Sequence, residues 1–277
     1  LDMKGGIVIA IWVVKALQAL GWAERPVKFI LAGDEDKGHF DADTPQLLIR
    51  LAKGALCCFN METGRVNNDI CIGRKGGGEG ELTVRGTAAH AGNDFLSGRN
   101  AVLEMAYKEI ELAELNDLEL GTTVTPTVIK GGTVPNGIPD HCHLYFDVRY
   151  RKFEEAQRVK EALERIAAHS HIDGTHTDCI YKEYQVPFDE TPDGIALADF
   201  LAEVSRELGM GDMGKINLGG GSDACYFTIA GVPTICAMGV CGQFNHSSKE
   251  YALVETLYTR AKLLTCAVLD LEKFVQR

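Results

Sequence analysis

No apolar run in the sequence reaches the roughly 18–20 residues that a membrane span needs. The longest candidate, residues 5–17, is interrupted by Lys15. Positive charge is also short: 28 Lys and Arg face 39 Asp and Glu, a formal charge of −11, and the pI is near 5.2. That field repels polyanions, so nucleic acid is not expected as a partner, and no membrane is expected either. There is no low-complexity tract and no repeat with a period of roughly 20–50 residues, which sets aside disorder and solenoid architectures. Disulfide scaffolding is a poor fit too. The nine cysteines are an odd set without framework spacing, and Cys57 and Cys58 are adjacent. They read as buried free thiols of a reducing, cytoplasmic compartment. The Cys236 to Cys241 spacing has no second close pair and reads as packing rather than as a zinc site.

What is present is ordinary for a soluble globular protein: 277 residues, 45% hydrophobic and 24% charged, enough for one large domain or two modest ones. The chain begins at Leu1 and enters a turn motif, Asp2-Met3-Lys4-Gly5-Gly6, without a signal peptide, so residues upstream are expected to be missing.

Residues 7–20 are apolar almost all round, which predicts a deeply buried helix closed by Gly21. The continuous apolar run 27–32 predicts a parallel strand covered on both faces. An acidic turn at 34–36, a helix over 43–53 and a second apolar run at 55–59 follow, and this alternation is the α/β signature. The middle of the chain differs. Residues 79–85 and 141–149 alternate apolar with polar, and 122–129 is a strand that Pro126 pushes to an edge. A helix over 100–115 presents Val102, Ala106, Ile110 and Ala113 on one side. A second helix carries Phe153, Ala156, Val159, Leu163 and Ile166, and a strand at 176–186 closes the set. The order is β-α-β-β-α-β, the ferredoxin-like arrangement. After Pro187 come an amphipathic helix at 193–208, a glycine-rich turn at 219–223, a buried strand at 232–238 and one long helix at 253–274. The expected architecture is an α/β domain of residues 1–76 and 187–277 with a ferredoxin-like domain, 77–186, inserted. Gly76-Gly77-Gly78 and the stretch before Pro192 would be the hinges.

Acidic and histidine residues gather at the ends of these elements. Asp2 precedes the first helix, Asp34-Glu35-Asp36 follow one apolar run, Glu62 follows another, and His246 follows the last buried strand. Sites in open α/β sheets form at the carboxyl ends of strands. Carboxylates placed together repel, unless one or two divalent cations bind among them through oxygen and imidazole ligands. Taken singly, each has a plainer reading: Asp2 as a helix cap, 34–36 as a solvated turn, Glu62 as unremarkable, His246 as a surface histidine.

Taken in order, they are more informative. Asp2-Met3-Lys4-Gly5-Gly6, Asp34-Glu35-Asp36-Lys37-Gly38, Arg85-Gly86-Thr87-Ala88-Ala89-His90-Ala91-Gly92, Gly131-Gly132 through Asn136-Ile138-Pro139 to Asp147-Val148-Arg149, Gly219–Asp223 and His246-Ser247-Ser248-Lys249-Glu250 form six ordered motifs. The chain resembles the zinc metallopeptidase and deacylase family of glutamate carboxypeptidase G, acetylornithine deacetylase, succinyl-diaminopimelate desuccinylase and aminoacylase, and in pattern it is nearest to the first. The resemblance implies a zinc-exopeptidase-like α/β catalytic domain with a ferredoxin-like lid that dimerises. It implies hydrolysis of an amide next to a free carboxylate by water activated on two divalent metal ions, zinc or else cobalt or manganese. Asp2 would bridge the metals, Asp36 and Glu62 would be terminal ligands, and His246 would complete the direct ligands. Glu35 would be the general base. His90, reaching across a homodimer, would stabilise the oxyanion. Asn136, Arg149 and the turn Gly219, Gly220 and Gly221 would hold the substrate carboxylate. The Asp2–Met3 peptide would be cis.

This chemistry is coherent: two metals about 3.5–4 Å apart polarise the carbonyl and bring bound water toward a pKa near 7, and arginine's planar fork matches a carboxylate. The sequence departs from the family in three places. Asp36 stands where Glu is common. His39 stands where a small residue is usual, and reads as a surface histidine. The family's first metal-binding histidine and its neighbouring aspartate precede the bridging aspartate, so residues 1–277 are expected to hold an incomplete metal site. The substrate is a small peptide or, in the alternative, an N-acyl amino acid. A non-catalytic dimerising homologue is the third reading.

Overall fold

A computed structural model describes residues 1–39 and 42–276. The chain divides into two units, Leu1–Arg74 with Phe188–Arg277, and Lys75–Pro187. No helix among the described residues is long and apolar enough to cross a membrane.

The first unit opens with α1 (Lys4–Ala19), α2 (Thr44–Ala52), β1 (Cys58–Phe59) and β2 (Ile70–Arg74). α1 ends where Gly21, at φ +71°, takes the left-handed conformation, and the Leu20, Gly21 and Trp22 amides return to carbonyls of the last turn. Its buried stripe is Gly6, Ile9, Val13 and Leu17, at three- and four-residue spacing. The expected all-round burial is not found: Val8, Ile11 and Trp12 are 41–56% exposed. The strand expected at 27–32 is also absent. Val27, Phe29 and Leu31 are exposed, and among the described residues no backbone pairs with the segment. A continuous apolar run signals a surface to be covered, but a strand exists only where a second backbone supplies the ladder.

The second unit runs β3 (Gly76–Arg85), β4 (Ala89–His90), α3 (Ala101–Ala113), β5 (Thr123–Gly131), β6 (Gly137–Ile138), β7 (His141–Tyr150), α4 (Phe153–Ala168) and β8 (His176–Gln185). Four strands form one antiparallel sheet in the order β5-β7-β3-β8, the ferredoxin-like topology. Leu82, Val84, Val124, Cys142, Leu144, Phe146, Val148 and Tyr150 alternate onto one face and make one core with residues of α3 and α4. β5 is an edge strand. Pro126 sits at an irregularity in its pairing, where the missing N–H costs no central ladder bond.

The face expected for α3 is corrected. Ala101, Glu104, Met105, Lys108 and Leu112 are buried, while Ile110 is 59% exposed. Two charges lie inside because each is fully partnered. The Lys108 ammonium is 3.3 Å from Glu104 Oε1 and donates to the carbonyls of Ile166 and His169. Glu104 accepts from the amides of His171 and Ile172. Four backbone groups at the end of α4 are thereby tied to α3.

The first unit resumes with α5 (Pro192–Glu207), β9 (Lys215–Leu218), α6 (Ala224–Ile229), β10 (Thr234–Ile235), β11 (Gly242–Gln243), β12 (Tyr251–Ala252), α7 (Glu255–Leu269) and α8 (Leu271–Val275). α5 is capped by Thr191, whose hydroxyl accepts from the Gly194 amide at 3.1 Å. β1 pairs with β10 and β2 with β9, both parallel. The run 232–238 is buried as expected, yet only Thr234 and Ile235 join a ladder, and Cys236 meets Cys71 in an isolated antiparallel bridge. The single long C-terminal helix is broken at Asp270 into α7 and α8. Ile9, Val13 and Leu17 pack with Ile70, Ile72, Leu197, Phe200, Leu201, Leu263 and Leu264 in one core. All nine cysteines are free thiols.

Candidate active site

The loop leaving β1 carries Glu62 and is held along its backbone. Glu62 N donates to Asn60 Oδ1 at 3.2 Å, Met238 N to Asn60 O at 3.1 Å, and Gly239 N to Glu62 O at 2.8 Å. Gly6 of α1 and Gly239 both lie against the Met61 carbonyl, where a Cβ on either would collide with it. Two glycines therefore set how closely α1 and the 236–240 segment approach the Glu62 backbone.

Asp2 stands just ahead of α1, and its peptide bond to Met3 is cis. Its Oδ1 accepts from the Thr63 hydroxyl at 3.3 Å, and Thr63 in turn accepts from Asn245 Nδ2 at 2.9 Å. Its Oδ2 lies 2.9 Å from His246 Nε2. Asp2, Glu62 and His246, residues far apart in sequence, thus share one neighbourhood.

Glu35 and Asp36 open a short 3-10 turn that Gly38, at φ +65°, closes. Burial pushes the Glu35 carboxyl up to about 7, helped by the negative charges of Asp223 and Asp36 and opposed by Arg74 and His39. Burial likewise pushes Glu62 up to about 8, with Cys236, Glu35 and Asp2 adding to it and Arg74 opposing. Asp36 is exposed.

Two residues that the motifs did not single out complete the neighbourhood. Arg74, at the end of β2, donates from Nη1 to the carbonyls of Gly220 and Gly221 at 3.3 and 3.2 Å and from Nε to Cys236 Sγ at 3.2 Å. It braces the glycine-rich turn and supplies the positive charge felt by Glu35 and Glu62. His39 overturns its reading as a surface histidine. It is 4% exposed, with Nε2 2.7 Å from Asp223 Oδ1 and Nδ1 3.0 Å from Asp34 Oδ1. Asp34 also accepts from the Thr44 hydroxyl at 2.8 Å. Burial alone would lower the His39 pKa, but the two carboxylates outweigh it and hold the imidazole above its usual range. One imidazole thereby joins the turn of Glu35, the start of α2 and the cap of α6. No sequence signal marks His39, because its partners lie five residues before it and 184 after it. Arg74 gives equally little signal, since an arginine before a glycine run is common.

In the second unit, β4 and β6 form a two-stranded antiparallel ladder with His90 opposite Gly137, and Ala91 N donates to Asn136 O at 3.0 Å. His90 and Asn136 are therefore brought together. His90 Nδ1 accepts from the amides of Gly92 and Asn93, both at 3.1 Å. A nitrogen that accepts two N–H groups carries no proton, so neutral His90 has its proton on Nε2. Arg149 lies elsewhere, on β7. Its Nε donates to Asp147 at 2.9 Å, and its guanidinium covers the Tyr184 ring at 5.3 Å.

Among the described residues, no three His, Cys, Asp or Glu side chains converge closely enough to hold a metal ion by themselves. The donor chemistry still fits a divalent cation. A carboxylate oxygen and an imidazole nitrogen, Asp2 Oδ2 and His246 Nε2, stand 2.9 Å apart, and both are donor types that zinc takes. Glu35 and Glu62, buried and flanked by other anions, favour the protonated form, and a cation would displace those protons.

The burial of these two carboxyls has a consequence for stability. Both carboxyls have a folded pKa above the ordinary 4.5, so the folded protein holds protons that the unfolded chain has released. Stability from these groups is greatest below about pH 4.5 and is lost as pH rises toward 8. The thermal midpoint of chelator-treated protein should fall between pH 6 and pH 9, and the slope should flatten in a Glu35→Gln/Glu62→Gln variant. Scanning fluorimetry over a pH series checks this, and an equal slope in the variant would count against it.

Comparison with known proteins places the chain. Residues 72–175 match the family described as a peptidase dimerisation domain. Over 98% of its length the chain is 27% identical to carboxypeptidase G2 of Pseudomonas sp. (strain RS-16), and it spans 65% of that protein. It is 30% identical over 219 residues to the succinyl-diaminopimelate desuccinylase of Nitrosomonas eutropha, covering 75% of this chain and 56% of that one. In fold it is similar to aminopeptidase PepT from Bacillus cereus ATCC 10987, with a TM-score of 0.79 at 24% identity over 95% of this chain and 69% of that one.

Proposed function

We propose, from this chain's membership of the metallopeptidase and deacylase family of carboxypeptidase G2 and the succinyl-diaminopimelate desuccinylases, that it serves a metal-dependent hydrolase cleaving an amide beside a free carboxylate. The observation that carries the reading is the Asp2–His246 pair, 2.9 Å apart, with the buried carboxyls of Glu62 and Glu35 in the same electrostatic neighbourhood. Asp2, Asp36, Glu62 and His246 would hold two divalent ions, zinc foremost. When bound, the metal polarises the amide carbonyl and makes water a nucleophile near neutral pH.

The chain's own residues would do the rest. Glu35, a buried carboxyl next to the proposed ligand Asp36, would take a proton from water and return it to the leaving amine. His90 would donate its Nε2 proton to the developing oxyanion, which the tautomer fixed by Gly92 and Asn93 allows. Arg149 and Asn136 would bind the substrate carboxylate. The matched dimerisation domain supports a homodimer built through the lid.

A deacylase acting on N-acyl amino acids is the second reading, favoured by the similarity to a desuccinylase. Both substrates place a carboxylate beside the scissile amide. The test is a panel of dipeptides and N-acyl amino acids, each with its carboxylate free or amidated. Hydrolysis should be confined to the free acids, be abolished by a chelator and return with zinc, cobalt or manganese. Turnover indifferent to chelation, or to amidation, would overturn the proposal.

A further inference from the structure

The open face of the second unit's sheet carries two histidines that the hydrolase does not use. His141 and His143 are two residues apart on β7, so they share a face. Their Nε2 atoms are 2.7 Å apart, and the rings meet edge to face with centroids 4.4 Å apart. The other nitrogen of His143, Nδ1, lies 2.8 Å from Glu81 Oε1 and 3.0 Å from the Thr83 hydroxyl, both on neighbouring β3. An ionised carboxylate only accepts, so Nδ1 carries the proton and the Nε2 of His143 accepts a hydrogen bond from His141 Nε2–H; a bound cation would take the place of that shared proton, which His141 moves to its Nδ1. A carboxylate behind one ring nitrogen, fixing the tautomer and aiming the other, is how imidazoles are prepared as metal ligands. Arg85, opposite His141 in the ladder, is engaged by Asp178, which also takes His176 at 3.1 Å.

We propose that His141 and His143 form a two-point site for a borderline transition-metal cation, with Glu81 orienting His143 and water filling the remaining positions. The spacing bears on the kind of cation. Two bonds of about 2.0–2.1 Å set the nitrogens about 2.9 Å apart at a right angle and about 3.3 Å apart at a tetrahedral one. The observed 2.7 Å is nearer the first, the angle of tetragonal Cu²⁺ or octahedral Ni²⁺. Two protein donors suffice for a chelate, so the site needs no third His, Cys, Asp or Glu. It shares no residue with the proposed catalytic centre.

The experiment is titration of chelator-treated protein with CuCl₂, followed by calorimetry and by electron paramagnetic resonance. Wild type should bind one more Cu²⁺ per chain than His141→Asn or His143→Asn, with a two-nitrogen hyperfine pattern that both variants lose. Glu81→Gln should retain the site with affinity weakened about 10- to 100-fold. Circular dichroism confirms that these surface variants are folded. Equal stoichiometry in wild type and both histidine variants would overturn the site, and unchanged affinity in Glu81→Gln would overturn the orienting role.

Discussion

Glutamine at position 35 is expected to lower kcat by about 10²- to 10⁴-fold while leaving KM within a few-fold of wild type. The carboxamide is nearly isosteric, so the 3-10 turn and its closure at Gly38 should persist. What is lost is a group that accepts a proton from water and gives it up again, and positioned acid–base groups contribute about that factor. Glu35→Asp should be intermediate, because it keeps the carboxylate but withdraws it by one methylene. Steady-state kinetics on the best substrate of the panel, with metal content measured in parallel, checks both. Glu35 is not among the proposed ligands, so metal per chain should be unchanged. Glu35→Gln retaining more than a tenth of wild-type kcat would remove Glu35 from the mechanism.

Alanine at Lys108 should destabilise the second unit by about 3–5 kcal/mol, the usual cost of removing one member of a buried ion pair. Both side chains are fully buried, so the Glu104 carboxylate would be left inside the protein without its ammonium. The Ile166 and His169 carbonyls would lose their donor as well. Glu104→Ala should cost less, because Lys108 keeps Glu111 at 3.7 Å and the Ile166 and His169 carbonyls, while the amides of His171 and Ile172 lose their acceptor. The double variant Glu104→Leu/Lys108→Met should recover much of the loss, since neither charge then remains. Urea denaturation of the four proteins gives the cycle. Additive losses in the double variant would show that the pair does not act as a unit.

The same pair shows why part of the fold is legible in the sequence and part is not. The strands of the second unit could be read because one face is apolar and the other polar, so the period of two is visible at Leu82, Val84, Leu144, Phe146 and Val148. The edge position of β5 could be read from Pro126. The face of α3 was misread because Glu104 and Lys108 count as polar, and only partners more than fifty residues away permit their burial. Residues 27–32 failed for the reverse reason: the apolar run is real, but nothing within it specifies a pairing strand. In the candidate site the ordered motifs pointed to Asp2, Glu35 and His246, and the position of Glu62 after an apolar run pointed to it. The charges of Arg74 and His39, which help to set their environment, carry no such pattern, because their roles arise from contacts made across the first unit.

The insertion of the second unit between β2 and α5 bears on how the first one assembles. The parallel pairs β1–β10 and β2–β9 join residues on either side of the insert. With the insert unfolded, each pairing closes a loop more than a hundred residues long. Once the insert folds, Gly77 and Gln185 become direct partners on adjacent strands, and the same two ends are presented side by side as though linked by a short tether. About 30 residues then remain in the β2–β9 loop and about 60 in the β1–β10 loop, so by loop-closure scaling the change is worth about 1 kcal/mol for each pairing. The insert's own pairings need nothing from outside it, so it can form first. A split domain is thereby made kinetically continuous, and a lesion in the insert's core, such as one at Lys108, would slow the assembly of a site to which it contributes no ligand.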